Sequence, residues 1–409
     1  MKTVFIILCC WCAQANAHVI KVGNKQTIKT ITAAIAVAKS GDTILVDPGI
    51  YKEKNLVIDK QLVLIGINHP VLDGEKKYEI ISIKSDRVTI DGFLLQHTGV
   101  SSMTDFAAIK IYNKHYATII NNIINDAFFG IYSQQGINCL IQNNTLTANA
   151  TEEQQSGNGI HCWKSDSMRI IGNTISGHRD GIYFEFVTNS VIWRNNSFKN
   201  LRYGLHFMFS NNDAYITNIF ENNGAGVAVM FSHGVKMFNN YFNQNWGDAA
   251  YGLLLKEIND SYIENNRFEK NTMAIYAEGA NRIHMQKNVF KSNGWALKIQ
   301  ASCMDITLQQ NNFIGNTFDV GTNGSLVMNT FNNNYWDKYE GYDLNHDNNS
   351  DVPYRPVSMY SMIIEKNPPA MILFHSLITT LMDKSEKVIP SLTPENLKDD
   401  HPLMKSIPL

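Results

Sequence analysis

From about residue 120 onward, an Asn stands two residues ahead of an apolar residue at a nearly constant interval. The positions are Asn122, Asn144, Asn173, Asn196, Asn218, Asn240, Asn266, Asn288, Asn311 and Asn329, mostly 22 or 23 residues apart, with odd steps of 29, 26 and 18. A second mark, a small residue opening an alternating apolar run, falls at Gly130, Gly159, Gly181, Gly204, Gly226, Gly252, Ala274 and Ala296. It follows its Asn by eight residues in six of the eight repeats, so the two marks keep phase. The apolar runs are short, as in Val191-Ile192-Trp193, and no repeat holds a ten-residue helical stretch. A unit this small cannot bury its own apolar face and must stack on copies of itself. The pattern predicts an all-β fold, a right-handed parallel β-helix with coils about 4.8 Å apart. Equivalent Asn side chains then form ladders from coil to coil.

The two ends read differently. Ile31, Ala34, Ile35 and Ala38 make one helical face ahead of the strand entry Gly41–Val46, which predicts a capping helix over the open end of the solenoid. The expected layout is a signal peptide at 1–17, a cap at 18–42, the solenoid at 43–340, an Asp-rich loop and Pro-containing connector at 341–367, and a tail at 368–409. Lys2, the apolar run Val4–Cys12 and Ala15-Asn16-Ala17 form the signal, with cleavage after Ala17 and export. Leu8 before Cys9 and Trp11 before Cys12 argue against a lipid anchor. Cys139, Cys162 and Cys303 remain, which is no disulfide framework. In the tail, Pro369–Lys384 is expected to form a helix whose Ile372, Leu373, Leu377 and Leu381 dock on a partner. The other reading is a helix that caps the last coil.

Composition narrows the classes. The 409 residues carry 35 basic and 37 acidic side chains, so no basic field points to nucleic acid. With 44% hydrophobic residues the chain can bury a large core, which excludes disorder. Of its 47 Asn, 41 lie between residues 101 and 350, where the ladder reading needs them.

Strand alternation sorts the side chains of the coils. Ile182, Phe184 and Phe186, then Leu205, Phe207 and Phe209, then Val227, Val229 and Phe231 are expected to face inward. The outward set is His161 and Trp163, Tyr183 and Glu185, His206 and Met208, Ala228 and Met230, Leu254 and Lys256. Met208 and Met230 thus share an exposed ladder one coil apart, with His206 beside them and His233 just beyond. Thioether and imidazole together suit Cu(I), and the same patch also reads as a protein-docking surface. A rival is carbohydrate chemistry, a polysaccharide-binding or uronate lyase or epimerase site, with His178, Arg179, Asp180, Glu185 and Arg202 as its acids and bases. A further candidate is Asp343, Asn345, Asp347, Asn349 and Asp351, oxygen side chains spaced like the start of a calcium loop. Asn348 replaces its turn Gly and Tyr354 its bidentate Glu, so weak calcium binding and a metal-free Asx-turn knot both remain open.

Several strings together resemble one family. Gly157–His161, Gly177–Phe186, Leu201–Met208, Asn223–Met230 and Ala250–Lys256 are similar to NosD, as are Val352–Pro356 and Pro402–Met404. The resemblance covers essentially the whole chain after residue 17. It implies a non-catalytic periplasmic β-helix that partners an ABC transporter permease, with its ATPase on the cytoplasmic side. It also implies copper as cargo, or a sulfur species, for maturing nitrous-oxide reductase. The copper chaperone lipoprotein NosL and apo nitrous-oxide reductase would be further partners, and membrane contact would come only through the permease. The resemblance does not assign His206, Met208 or Met230 as ligands.

Overall fold

The structure, a computed structural model, describes residues 18–100, 104–247, 250–324, 328–374, 376–388, 393 and 397–408. The expected signal peptide lies outside them. Three all-parallel sheets of 14, 12 and 13 strands run the length of a solenoid of about 13 coils.

One coil shows why the sequence folds this way. Val191–Trp193 lies in the 14-stranded sheet, Asn196–Phe198 in the 13-stranded sheet and Tyr203–Met208 in the 12-stranded sheet. The corners turn on single residues at positive φ, Arg194 at 54°, Lys199 at 52° and Phe209 at 49°. The middle residue of each three-residue strand points inward, as Ile192, Ser197 and Tyr215 do. Aromatic rings stack along the interior from Phe220 through Phe242, Phe268, Phe290 and Phe313 to Trp336, with centroids 4.0–5.5 Å apart. In the 12-stranded sheet the coils approach closely. A Cβ at Gly181 would lie 2.7 Å from the carbonyl oxygen of Gly204, and one at Gly204 would lie 2.8 Å from that of Gly226. The repeated small residue is a packing requirement of this sheet.

The Asn ladder exists, with two corrections. It runs through Asn122, Asn144, Asn173, Asn195, Asn218, Asn240, Asn266, Asn288, Asn311 and Asn334. Each Oδ1 accepts both the backbone amide and the side-chain amide of the rung before it, as Asn240 does from Asn218 at 2.9 and 3.0 Å. Asn196 is the neighbouring strand residue, and Asn329 lies in a different turn, where it accepts from the Ile306 amide. Adjacent Asn residues made the one-residue slip invisible in the sequence. A second ladder runs Asn200, Asn223, Asn245, Asn271, Asn293 and Asn316.

At the N-terminal end the strand ladder starts earlier than expected. Val19–Val22 pairs in parallel with Thr43–Val46, and helix α1 (Ile31–Val37) sits between them in sequence. Thr30 caps α1 by accepting from the Ala33 amide, and the Glu53 carboxylate accepts from the free amides of Ile31 and Thr32 at 2.7 and 2.8 Å. Ile31, Ala34 and Ile35 are buried as the sequence predicts.

The C-terminal part folds back onto the last coils. Helix α2 (Met359–Lys366) puts Tyr360 and Ile364 against Trp295 and Phe318, and Lys298 pairs with Glu365 at 2.7 Å. The single helix expected over Pro369–Lys384 is instead a 3-10 turn, Pro368–Leu373, followed by α3 (Leu377–Val388). Pro368 and Pro369 stand in the first turn, where their missing amides cost nothing, and the new helix starts behind Ser376, whose hydroxyl accepts from the Thr379 amide at 3.3 Å. Residues 397–408 then return to the solenoid, where Asp399 accepts from the Asn334 amide and side chain, both at 2.9 Å.

Candidate metal-handling face

The outer face of the 12-stranded sheet carries the candidate chemistry. The register is Tyr183↔His206↔Ala228 in one column and Glu185↔Met208↔Met230↔Lys256 in the next. Met208 and Met230 are therefore direct partners one coil apart, and His206 lies two residues before Met208 on the same strand. The ladder is less exposed than the sequence suggests. His206 is buried because Tyr183 and Tyr203 close over it, with ring centroids at 4.9 and 4.7 Å, while Met208 and Met230 are half-buried. The Tyr183 hydroxyl donates to the Met208 thioether at 3.6 Å, so one tyrosine touches both Met208 and His206.

The third member of each triplet, a phenylalanine, does not face inward. Phe186, Phe209 and Phe231 occupy the positive-φ corner at 54°, 49° and 53°, and stack outside the solenoid with centroids 5.2 and 5.0 Å apart. Alternation ends where the strand ends, one residue before them. His233 does not join the methionine pair. It is exposed in the following turn, bridges by its backbone to Asn259, and lies within electrostatic reach of Asp260.

Around His206 the polar groups are buried and sparsely partnered. Neither of its ring nitrogens has a hydrogen bond, and Nδ1 lies 3.7 Å from Asp180 Oδ2. Asp180 is buried, accepts from the Tyr203 amide at 3.3 Å, and has Arg179 Nε 3.4 Å from its Oδ2. Burial raises its pKa, but contact with His206 and the charges of Arg202 and Arg179 outweigh that and hold it below the usual carboxylate range. Further down the column, His161 lies between Tyr132 and Tyr183, with centroids at 4.4 and 4.8 Å. Burial, helped by Arg179, pushes its pKa down to about 3, so it is neutral. Burial also pushes Tyr132 and Tyr183 up to about 12.

The residues fit a soft cation. Two thioethers stand in register, and a buried imidazole beside them has no hydrogen bond to satisfy either nitrogen. His206, Met208 and Met230 would hold Cu(I) as cargo. Of the rival acid–base set, Arg179, Asp180, Glu185 and Arg202 gather around Tyr183, and His178 stands apart. His178 is fully buried with a pKa near 3 and faces Ser156, and Arg202 lies 3.8 Å from Glu153. Sequence reasoning placed Tyr183 on this face but missed Tyr203 and Asn158, because only the coil stacking places them beside the histidines.

The other two candidate sites lie towards the C-terminus. In the Asp-rich loop the oxygens are spent on backbone amides. Asp343 accepts from Asp347 and Asn348, Asp347 from Asn349, and Asp351 from Leu344, at 2.7–3.3 Å. That is the Asx-turn arrangement. No group of three or more His, Cys, Asp or Glu among the described residues is placed to hold a metal. In the tail, Ile372, Leu373, Leu377 and Leu381 are all exposed, Ile372 at 89%. No helix among the described residues is long and apolar enough to cross a membrane.

Comparison with known proteins bears on the solenoid that carries this face. Residues 143–341, which contain the whole methionine ladder, match the family described as periplasmic copper-binding protein (NosD). A probable ABC transporter binding protein NosD of Pseudomonas aeruginosa is 28% identical over 373 residues, 86% of each chain. Its counterpart in Stutzerimonas stutzeri is 26% identical over 358 residues, 82% of this chain and 80% of that protein. Among solved structures, the alginate lyase AlyF-OU02 superimposes with a TM-score of 0.52 at 13% identity, covering 74% of this chain and 86% of that one, a likeness of fold alone. The long matches in sequence and the coils that bear the ladder point the same way: the chain resembles the NosD family over most of its length.

Proposed function

We propose that this protein is a non-catalytic periplasmic accessory of an ABC transporter that relays copper for maturation of nitrous-oxide reductase. Its partners in this reading are the permease with its ATPase, the chaperone lipoprotein NosL as copper donor and apo nitrous-oxide reductase as recipient. The observation that carries it is the register pair Met208–Met230 beside His206, whose ring nitrogens are buried without a hydrogen bond. Cu(I) is soft and accepts two thioethers and an imidazole at low coordination number. The half-buried position of both sulfurs at the sheet surface suits an ion that must be handed on. The family name and the names of the two relatives support the copper and transporter halves of the proposal respectively. An anaerobic Cu(I) competition titration of the purified chain against Met208→Ala/Met230→Ala tests it. Tight one-to-one binding that the double variant loses is expected, and equal affinity in both proteins would remove the ladder from copper handling.

A further inference from the structure

The column that holds His206 contains a second histidine, His161, two coils away, with Tyr183 between the two rings. Their surroundings fix opposite tautomers. Arg179 Nη2 donates to Asn158 Oδ1 at 3.1 Å, which leaves the Asn158 amide nitrogen facing His161 Nδ1 at 3.0 Å. An amide NH₂ only donates, so His161 Nδ1 accepts and the ring proton sits on Nε2. At His206 the group facing Nδ1 is the carboxylate of Asp180, which only accepts. Asn158 and Asp180 are themselves register partners on adjacent strands, so one position in the coil sets both rings.

We infer that Asp180 is the positioning residue of the copper site: its carboxylate, 3.7 Å from Nδ1 and beyond hydrogen-bond distance, favours the His206 proton on Nδ1 by its charge and so leaves the Nε2 lone pair to the metal beside Met208. The inference rests on the copper role proposed above. Asp180 touches no metal. It acts through His206 as a carboxylate commonly acts behind a metal-bound imidazole. Arg179 serves both rings, through Asn158 at His161 and through its approach to Asp180 Oδ2 at 3.4 Å. His161, with a protonated Nε2 and Trp163 in place of a methionine two residues on, is left out of the metal site although it shares the column.

The test uses full-length protein labelled with ¹⁵N-histidine, with the His206 ring signals assigned by their loss in His206→Gln. Two-bond ¹H–¹⁵N correlation is expected to report the Nδ1–H tautomer for His206 and the Nε2–H tautomer for His161. Asp180→Asn, nearly isosteric, would place an amide donor where Asn158 stands for His161 and switch His206 to the Nε2–H form. Its Cu(I) affinity is expected to fall about 10–100-fold, with an unchanged melting temperature. A wild-type His206 protonated on Nε2, or an Asp180→Asn protein that keeps both tautomer and affinity while wild type binds copper, would overturn the role of Asp180 and leave the copper reading standing. Failure of wild type to bind Cu(I) at all would overturn the copper reading, and this inference with it.

Discussion

Asp213 is a buried carboxyl in the turn before the strand Ala214–Ile216. Its Oδ1 accepts from the Ser190 amide at 2.6 Å, and its Oδ2 has no hydrogen bond. Burial pushes its pKa up to about 8 from an ordinary 3.8. A folded-state pKa above the unfolded one means that its contribution is most favourable below about pH 4 and is lost as pH rises towards 8. Asp213→Asn keeps the acceptor and removes the titration. It is expected to stabilise the protein by about 2 kcal/mol or more at pH 8 and by less at pH 5. Thermal melts of both proteins across that range would show a pH-independent gain if burial of the charge is not the cause. The same scale shows where alternation misleads. Phe186, Phe209 and Phe231 look like core residues in sequence, yet a single left-handed corner residue turns them outward. Conversely, His206 looks exposed and is buried, because two tyrosines from its own and the preceding coil cover it.

The Asn ladder is the element that holds corner to corner. Asn240→Ala would strip the acceptor from both the amide and the side chain of Asn218, and leave the Tyr215 carbonyl without its donor. Buried unsatisfied groups cost about 1–3 kcal/mol each, so a loss of about 3 kcal/mol is expected. Chemical denaturation would measure it, and a change below about 1 kcal/mol would mean that water replaces the rung. In the tail, exposure of Ile372, Leu373, Leu377 and Leu381 supports the docking role proposed for them, while Tyr360 and Ile364 attach the segment to the solenoid. Ile372→Ser/Leu377→Ser/Leu381→Ser is expected to leave the melting temperature within a few degrees and abolish copurification with the permease. Retained copurification would place the permease contact elsewhere. Point variants are the right tool because removing residues 368–409 would also remove Asp399.

At the scale of the molecule, stability in a solenoid is a sum over neighbouring coils, so the ends decide where unravelling begins. Asp399 closes the ladder at the C-terminal end by accepting from the Asn333 and Asn334 amides, the Asn334 side chain and the Trp336 indole at 2.9–3.1 Å. An aspartate suits a last rung, since no further coil offers an acceptor for a side-chain amide. Asp399→Ala is expected to speed amide hydrogen exchange over residues 329–337 and leave the coils around Met208 unchanged; uniform acceleration would instead indicate one cooperative unit. The sequence alone determined the coil length, the parallel β-solenoid, the capping face of α1 and the stacking of Met208 on Met230. These follow from a period and from strand alternation, both local properties of the chain. Tertiary structure alone decided which of two adjacent Asn forms the rung, where the first strand begins, and that Asp399 ends a ladder 65 residues after Asn334. It also decided that Asp180 faces His206 from the preceding coil. Such contacts join residues a full coil or more apart through space, and the period fixes the height of each coil but not the direction in which its corner residues turn.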